Sequence, residues 1–229
     1  MSMSPRHPVE PVADRDDAPA PASPSRRRFV RTVGMGAAAL GAAAATGTAL
    51  GGVASAQSTS SSEPPELGAG DVALLRFLQS ISLAAEDALT AAADERYLEA
   101  DLGEQFRTFS RHHRNHAATF GALLSDADMV SAPNAKLLGE VTRDIDGAGD
   151  QDALLRAVQG FEERLAATFL VAVSDAESWL AAGPIATVLP VVDQQAAAIA
   201  QELDLPVGEW LPTFASTDGA YTQAAYPVS

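Results

Sequence analysis

Between Phe109 and Ala117 the chain reads Phe-Ser-Arg-His-His-Arg-Asn-His-Ala, a stretch that holds three of its four histidines. Leu102, Phe106, Phe109, His113, His116, Phe120 and Leu123 recur at steps of three and four, the spacing of the inward stripe of an amphipathic helix. Two of those positions are imidazoles one turn apart, where a core with nothing to bind would carry Leu or Ala. A fold that accepts this stripe is helical, and it must give two buried polar rings a partner, because an unpaired polar group in an apolar interior is costly. His112 falls off the stripe and is expected to face solvent, and Arg111 and Arg114 offset neighbouring acids.

The same spacing predicts three more long helices. The first, about Asp71 to Asp94, follows a Gly70-Asp71 cap and turns Leu75, Leu78, Ser82, Ala85 or Glu86, and Leu89 inward. The histidine helix runs from about Ala100 to Ser125. Residues 126–151 form a longer connection with a short helix at Asn134–Ile145, long enough to carry the chain from one end of a helix stack to the other. A third long helix, Asp152 to Leu180, has its stripe at Leu155, Val158, Glu162, Leu165, Phe169 and Val173. The fourth opens with Pro184 in its first turn, is expected to kink near Pro190, and ends about Leu203. Its stripe is Ile185, Leu189, Val192 or Asp193, Ala196 and Ile199. Trp210, Phe214, Tyr221 and Tyr226 lie among turn residues in 206–229, which predicts an extended tail packed over the helices. The fold class is therefore all-α, a four-helix bundle over residues 70–205.

Composition narrows the chemistry. The chain has no cysteine, which excludes thiolate catalysis, disulfides and cysteine-ligated metal centres. No Gly-x-Ser-x-Gly segment is present to support nucleophilic catalysis. Aromatic residues make up only 6% of the chain, and alanine is abundant, which suits close-packed helices.

The first 56 residues read as an export signal. Met1 to Pro24 is polar, aperiodic and expected to be disordered. Ser25-Arg-Arg-Arg-Phe-Val-Arg31 then resembles the twin-arginine motif, and Thr32 to Ala56 carries no charge but is only weakly apolar. Ala54-Ser-Ala56 fits a cleavage site, so the mature chain is expected to begin at Gln57, with residues 57–69 as a linker. The expected partner of residues 25–31 is the twin-arginine export machinery. The expected location is extracellular, periplasmic or on the cell envelope, with no membrane association after cleavage. This pathway moves folded proteins, often around a cofactor, and so raises the expectation of a metal. Residues 1–56 hold six Arg and four acids, which leaves 9 bases against 26 acids beyond them, a net charge of −17. Nucleic acid is a poor partner for such a surface.

Several segments together resemble exported bacterial ferritin-like domain proteins. They are Phe77-Leu-Gln-Ser-Ile-Ser-Leu-Ala-Ala85, Phe109 to Ala117, Phe161-Glu-Glu-Arg-Leu-Ala-Ala-Thr-Phe169, Val188 to Ala197, and Leu211 to Ala220 followed by Tyr226-Pro-Val. The resemblance implies a ferritin-like bundle whose core carries carboxylates and imidazoles suited to iron, manganese or zinc. Carried over residue by residue, the metal set is His113, His116, Glu162, Asp193 and Glu86, and the ligand of the first helix is lost if Ser82 and not Glu86 faces the axis. His113-Arg-Asn-His116 stands where the pattern has Glu-x-x-His, and Asp193-Gln-Gln-Ala196 lacks the second histidine. That set suits one ion with two imidazoles and one or two carboxylates, serving redox or metal handling. The alternative is a metal-free bundle with a structural or partner-binding role. Both are compatible with a homo-oligomer.

Overall fold

The computed structural model describes residues 66–210 and 216–228. His7, the export motif, the cleavage pattern and most of the expected 57–69 linker lie outside the described residues, as does Phe214. Among the described residues the protein is all-α. Its helices are α1 (Ala69–Ala93), α2 (Ala100–Gly121), α3 (Ala135–Asp146), α4 (Gln151–Asp175), α5 (Trp179–Glu202) and the short α6 (Val207–Trp210). None of them is long and apolar enough to cross a membrane.

Side-chain caps set three of the helix starts. Asn134 accepts from the Leu137 N–H at α3, Asp150 from the Ala153 N–H at α4, and Ser178 from the Ala181 N–H at α5. The last cap explains a difference from the sequence reading. Helix α5 begins at Trp179, ahead of Pro184, and continues through both Pro184 and Pro190. The carbonyl of Pro184 accepts from the Thr187 hydroxyl at 2.7 Å. Helix α4 correspondingly stops at Asp175 and not near Leu180. The next N–H but one, that of Glu177, is taken at 2.8 Å by Oδ1 of Asp71 from the first turn of α1. Helix α2 also closes earlier than Ser125. The N–H groups of Leu123 and Leu124 bond three residues back, to Phe120 and Gly121, and tighten the chain out of the α-helix.

Contacts at the helix ends fix their directions. Asp71, at the start of α1, lies beside Glu177 between α4 and α5. At the opposite end, Tyr97 donates to the Ala148 carbonyl at 2.8 Å, and the Glu99 N–H donates to Oε1 of Gln151 at 2.8 Å. Helices α1 and α5 therefore run one way, and α2 and α4 the other. Helix α1 packs along α2, and α4 along α5, while α3 lies against both α1 and α4. Leu75, Leu78, Ile81, Leu89, Phe106, Phe120, Leu154, Leu165 and Phe169 fill the space between them and are almost wholly withdrawn from solvent. Burial of this kind contributes about 25 cal/mol per Å² of apolar surface and is the main stabilising contribution.

The C-terminal segment packs on α3 and α4. The Tyr221 N–H donates to the Thr168 hydroxyl at 2.7 Å, Asn134 donates to the Tyr226 carbonyl at 3.1 Å, and the Tyr226 hydroxyl donates to Glu140 at 2.7 Å. The two tyrosine rings meet edge to face with centroids 5.0 Å apart. Residues 207–210 are helical, so the stretch from 206 onward is not extended throughout.

Candidate functional site

The stripe of α2 places His113 and His116 inward, as its spacing requires, at 0% and 8% exposure. Their rings sit edge to face, 5.3 Å between centroids. From α4, Glu162 enters the same interior at 0% exposure. Its two carboxylate oxygens lie 3.2 and 3.3 Å from Nε2 of His113, so one imidazole edge faces both oxygens at once.

Several other polar atoms are buried in this interior. The buried Ser110 hydroxyl bonds that of the exposed Thr90 at 2.9 Å, and Gln79 accepts from the Val130 N–H at 2.8 Å. Nδ1 of His113, Nδ1 of His116, Oγ of Ser82 and Oε1 of Gln195 have no hydrogen-bond partner among the described residues. The register that pairs Thr90 with Ser110, Glu86 with Arg114 and Gln79 with Gly121 brings Ser82 level with Ala118. That is half a turn from His116, or about 3 Å along the axis. The orphaned Ser82 hydroxyl and the orphaned nitrogens of His113 and His116 are therefore near one another along the axis, whereas the orphaned Oδ2 of Asp71 lies at the start of α1.

Burial and nearby charge set the protonation of two histidines. Loss of solvent, followed by the neighbouring His113 and His112, pushes the pKa of His116 down to about 2. Burial, then His113 and Arg111, also lowers His112. His112 is half-buried and not turned to solvent as expected. Its Nδ1 lies 2.9 Å from the Gln195 amide nitrogen across the α2/α5 seam.

Two acids of the expected metal set do not join the histidines. Asp193 is exposed. It lies close enough to Glu163 that its charge, after burial, helps raise the Glu163 pKa. The inward stripe of α5 runs Val188, Val192, Gln195 or Ala196, and Ile199, one position off the row through Leu189 that would have carried Asp193. One residue is 100° on a helix, enough to exchange an acid for an amide at the interior. Glu86 is held at 2.6 Å by Nε of Arg114, and Ser82 occupies the fully buried position on α1. The sequence reading left that choice open, and it missed Gln195. Starting the α5 stripe at Val188 would have found it.

What remains together is His113, His116 and Glu162. Two imidazoles and a carboxylate are suitable donors for iron, manganese or zinc, and the unpartnered Nδ1 atoms leave donor capacity unused. Among the described residues no group of three or more His, Asp or Glu side chains is already arranged closely enough to share an ion. Holding a metal there would therefore require side-chain rotation. Two surface depressions lie elsewhere. A groove of about 700 Å³ is lined by Leu67, Val72, Phe77 and Tyr226, and one of about 270 Å³ by Asp144, Arg156 and Tyr221. The chain matches no family model, no curated protein and no solved structure in comparisons with known proteins.

Proposed function

We propose that the chain is an exported ferritin-like protein whose core holds one iron, manganese or zinc ion at His113 and His116, with Glu162 as the accompanying carboxylate. Two imidazoles buried one turn apart, each with Nδ1 unpartnered, carry this reading. Buried polar atoms of this kind normally have a partner, and a transition metal is a partner that two imidazoles share. The helix directions support the ferritin-like part. Two antiparallel pairs, α1 with α2 and α4 with α5, are joined by a long crossover through α3, which is the connectivity of that fold. Export rests on residues 25–31 and the uncharged run behind them. A bound ion would supply redox or Lewis-acid chemistry, while the protein supplies a helical enclosure and two buried imidazoles.

Metal analysis of the full chain beside the His113→Ala/His116→Ala variant tests the site. Close to one ion per wild-type chain and little in the variant is the expected result. Equal metal content in both would sink the proposal. N-terminal sequencing of the exported product should begin at Gln57.

A second reading has its own observation. Nε2 of His113 already faces both oxygens of Glu162. A hydrogen-bonded pair of this kind suits a metal-free bundle that acts as a structural or partner-binding protein. It predicts no metal uptake and a melting temperature unmoved by chelator, since only a ligand of the native state raises that temperature by mass action.

A further inference from the structure

We propose that the cleft between α3 and α4 is a binding site for a small α-amino acid with an apolar side chain. It shares no residue with the His113 interior and does not depend on a metal.

A connection of only residues 147–150 brings α3 and α4 side by side, and the cleft runs between residues 140–145 of one and 156–164 of the other. Its volume of about 270 Å³ is just under the roughly 300–1,000 Å³ of sites for drug-sized ligands, which suits a smaller solute. The walls carry opposite charges, Glu140 and Asp144 on α3 against Arg156 and Arg164 on α4. At the end away from the connecting turn these groups are already partnered. Glu140 accepts from the Tyr226 hydroxyl at 2.7 Å, and Arg164 donates to the Gly219 carbonyl at 2.9 Å and lies over the Tyr221 ring. Nearer the turn, Asp144 and Arg156 make no hydrogen bond or ion pair with any described residue. Both are exposed, so a direct pair between them would be worth little, and a ligand can take its place.

Unlike charges left open on facing walls disfavour a simple anion or cation, since either would be repelled by one wall. A zwitterion satisfies both. Its carboxylate fits the planar fork of Arg156, and its ammonium group the Asp144 carboxylate. Val141, Ile145, Ala157 and Phe161 line the same cleft and offer apolar surface to a hydrocarbon side chain. Gly160 lies one turn from each arginine on the same face of α4. Glycine is the least favoured residue inside a helix after proline, yet a Cβ here would meet nothing within 4 Å. Packing between the helices therefore does not call for glycine. What the missing side chain leaves is room in the cleft.

Nitrogen-15 NMR of the full chain titrated with L-leucine tests this, beside two analogues that each lack one of its charges, isocaproate and isoamylamine. Leucine is expected to give saturable amide shifts in residues 140–145 and 156–161. Each analogue should bind about 10-fold or more weakly, the loss of one hydrogen-bonded charge. Arg156→Gln removes an exposed charge and leaves the core alone, and Gly160→Leu fills the cleft. Each should weaken leucine by about 10-fold or more. No saturable shift in these residues, or analogues that bind as tightly as leucine, would overturn the proposal. Unchanged leucine affinity in Arg156→Gln would do the same. Metal content plays no part in this readout, so its failure leaves the His113 proposal standing.

Discussion

His113 and Glu162 are 49 residues apart in the chain and meet where neither has any exposure, with Nε2 3.2 Å from Oε1. Removing one partner strands the other in the core. Such a loss costs about 1–3 kcal/mol, and more when the stranded group is charged. Glu162→Leu and His113→Leu should each destabilise the chain by that amount or more, measured by denaturant unfolding with chelator present. The double variant should recover much of the loss, because two apolar side chains can replace a buried polar pair with little penalty. A double variant as unstable as the sum of the singles would show that the two side chains do not act as a pair.

His116 makes the metal-free protein sensitive to acid. The unfolded chain takes up a proton on this ring near 6.5, whereas burial delays that event in the folded chain to about 2. Between those values the unfolded state binds more protons, so stability falls as pH falls. The slope for one such group is up to about 1.4 kcal/mol per pH unit. Above 6.5 nothing is lost. The half-exposed His112 shifts in the same direction and adds less. With chelator present, wild type should weaken between about pH 6.5 and 5, before the carboxylates titrate. His116→Leu should show a shallower slope over that window. Parallel slopes would contradict the burial of a neutral His116.

The C-terminal segment should act as a clasp on α3 and α4. Tyr226 is held by Asn134 and Glu140, and stacks edge to face on Tyr221. Tyr226→Ala removes a buried ring and the hydroxyl bond to Glu140, while the bond from Asn134 to its backbone carbonyl can persist. Large-to-small changes of aromatic core residues cost about 3–5 kcal/mol. Because Tyr226 retains some exposure, the lower end is expected. Limited proteolysis should then cut the variant near residues 216–228 faster than wild type. Equal cleavage would show that the tail is held by its other contacts.

Asp71 ties the start of α1 to the turn between α4 and α5. Its Oδ1 accepts from the Glu177 N–H, the group whose capture ends α4. Asp71→Ala should cost about 1.5–3 kcal/mol, the range for a hydrogen bond to a charged group. Hydrogen exchange at Glu177 should accelerate. Unchanged protection there would mean that α4 ends for another reason.

The repeat of apolar residues at three and four made four long helices legible, and with them the inward placement of His113, His116 and Glu162. Those three sit at the centres of unambiguous stripes between large apolar neighbours, so a small error in helix phase does not move them outward. Asp193 and Glu86 lie at stripe borders. There, a rotation of one residue decides between core and solvent, and an alanine-rich helix offers several nearly equivalent faces.

The local pattern of the sequence determined the helical class, the approximate spans and the three central polar residues, because burial of an apolar stripe depends on spacing that can be counted. Only the tertiary structure decided that Ser82 and Gln195 face the interior in place of the two acids. Helix phase is set by which neighbour is packed against, and by contacts such as Arg114 with Glu86. The same holds for the α4–α5 break, which depends on Asp71 from 106 residues earlier in the chain. Above all, it was tertiary packing that brought Nε2 of His113 to Glu162 and left both Nδ1 atoms without a partner among the described residues. A stripe tells which side chains go inward, but not which atom of a ring meets which atom of an acid.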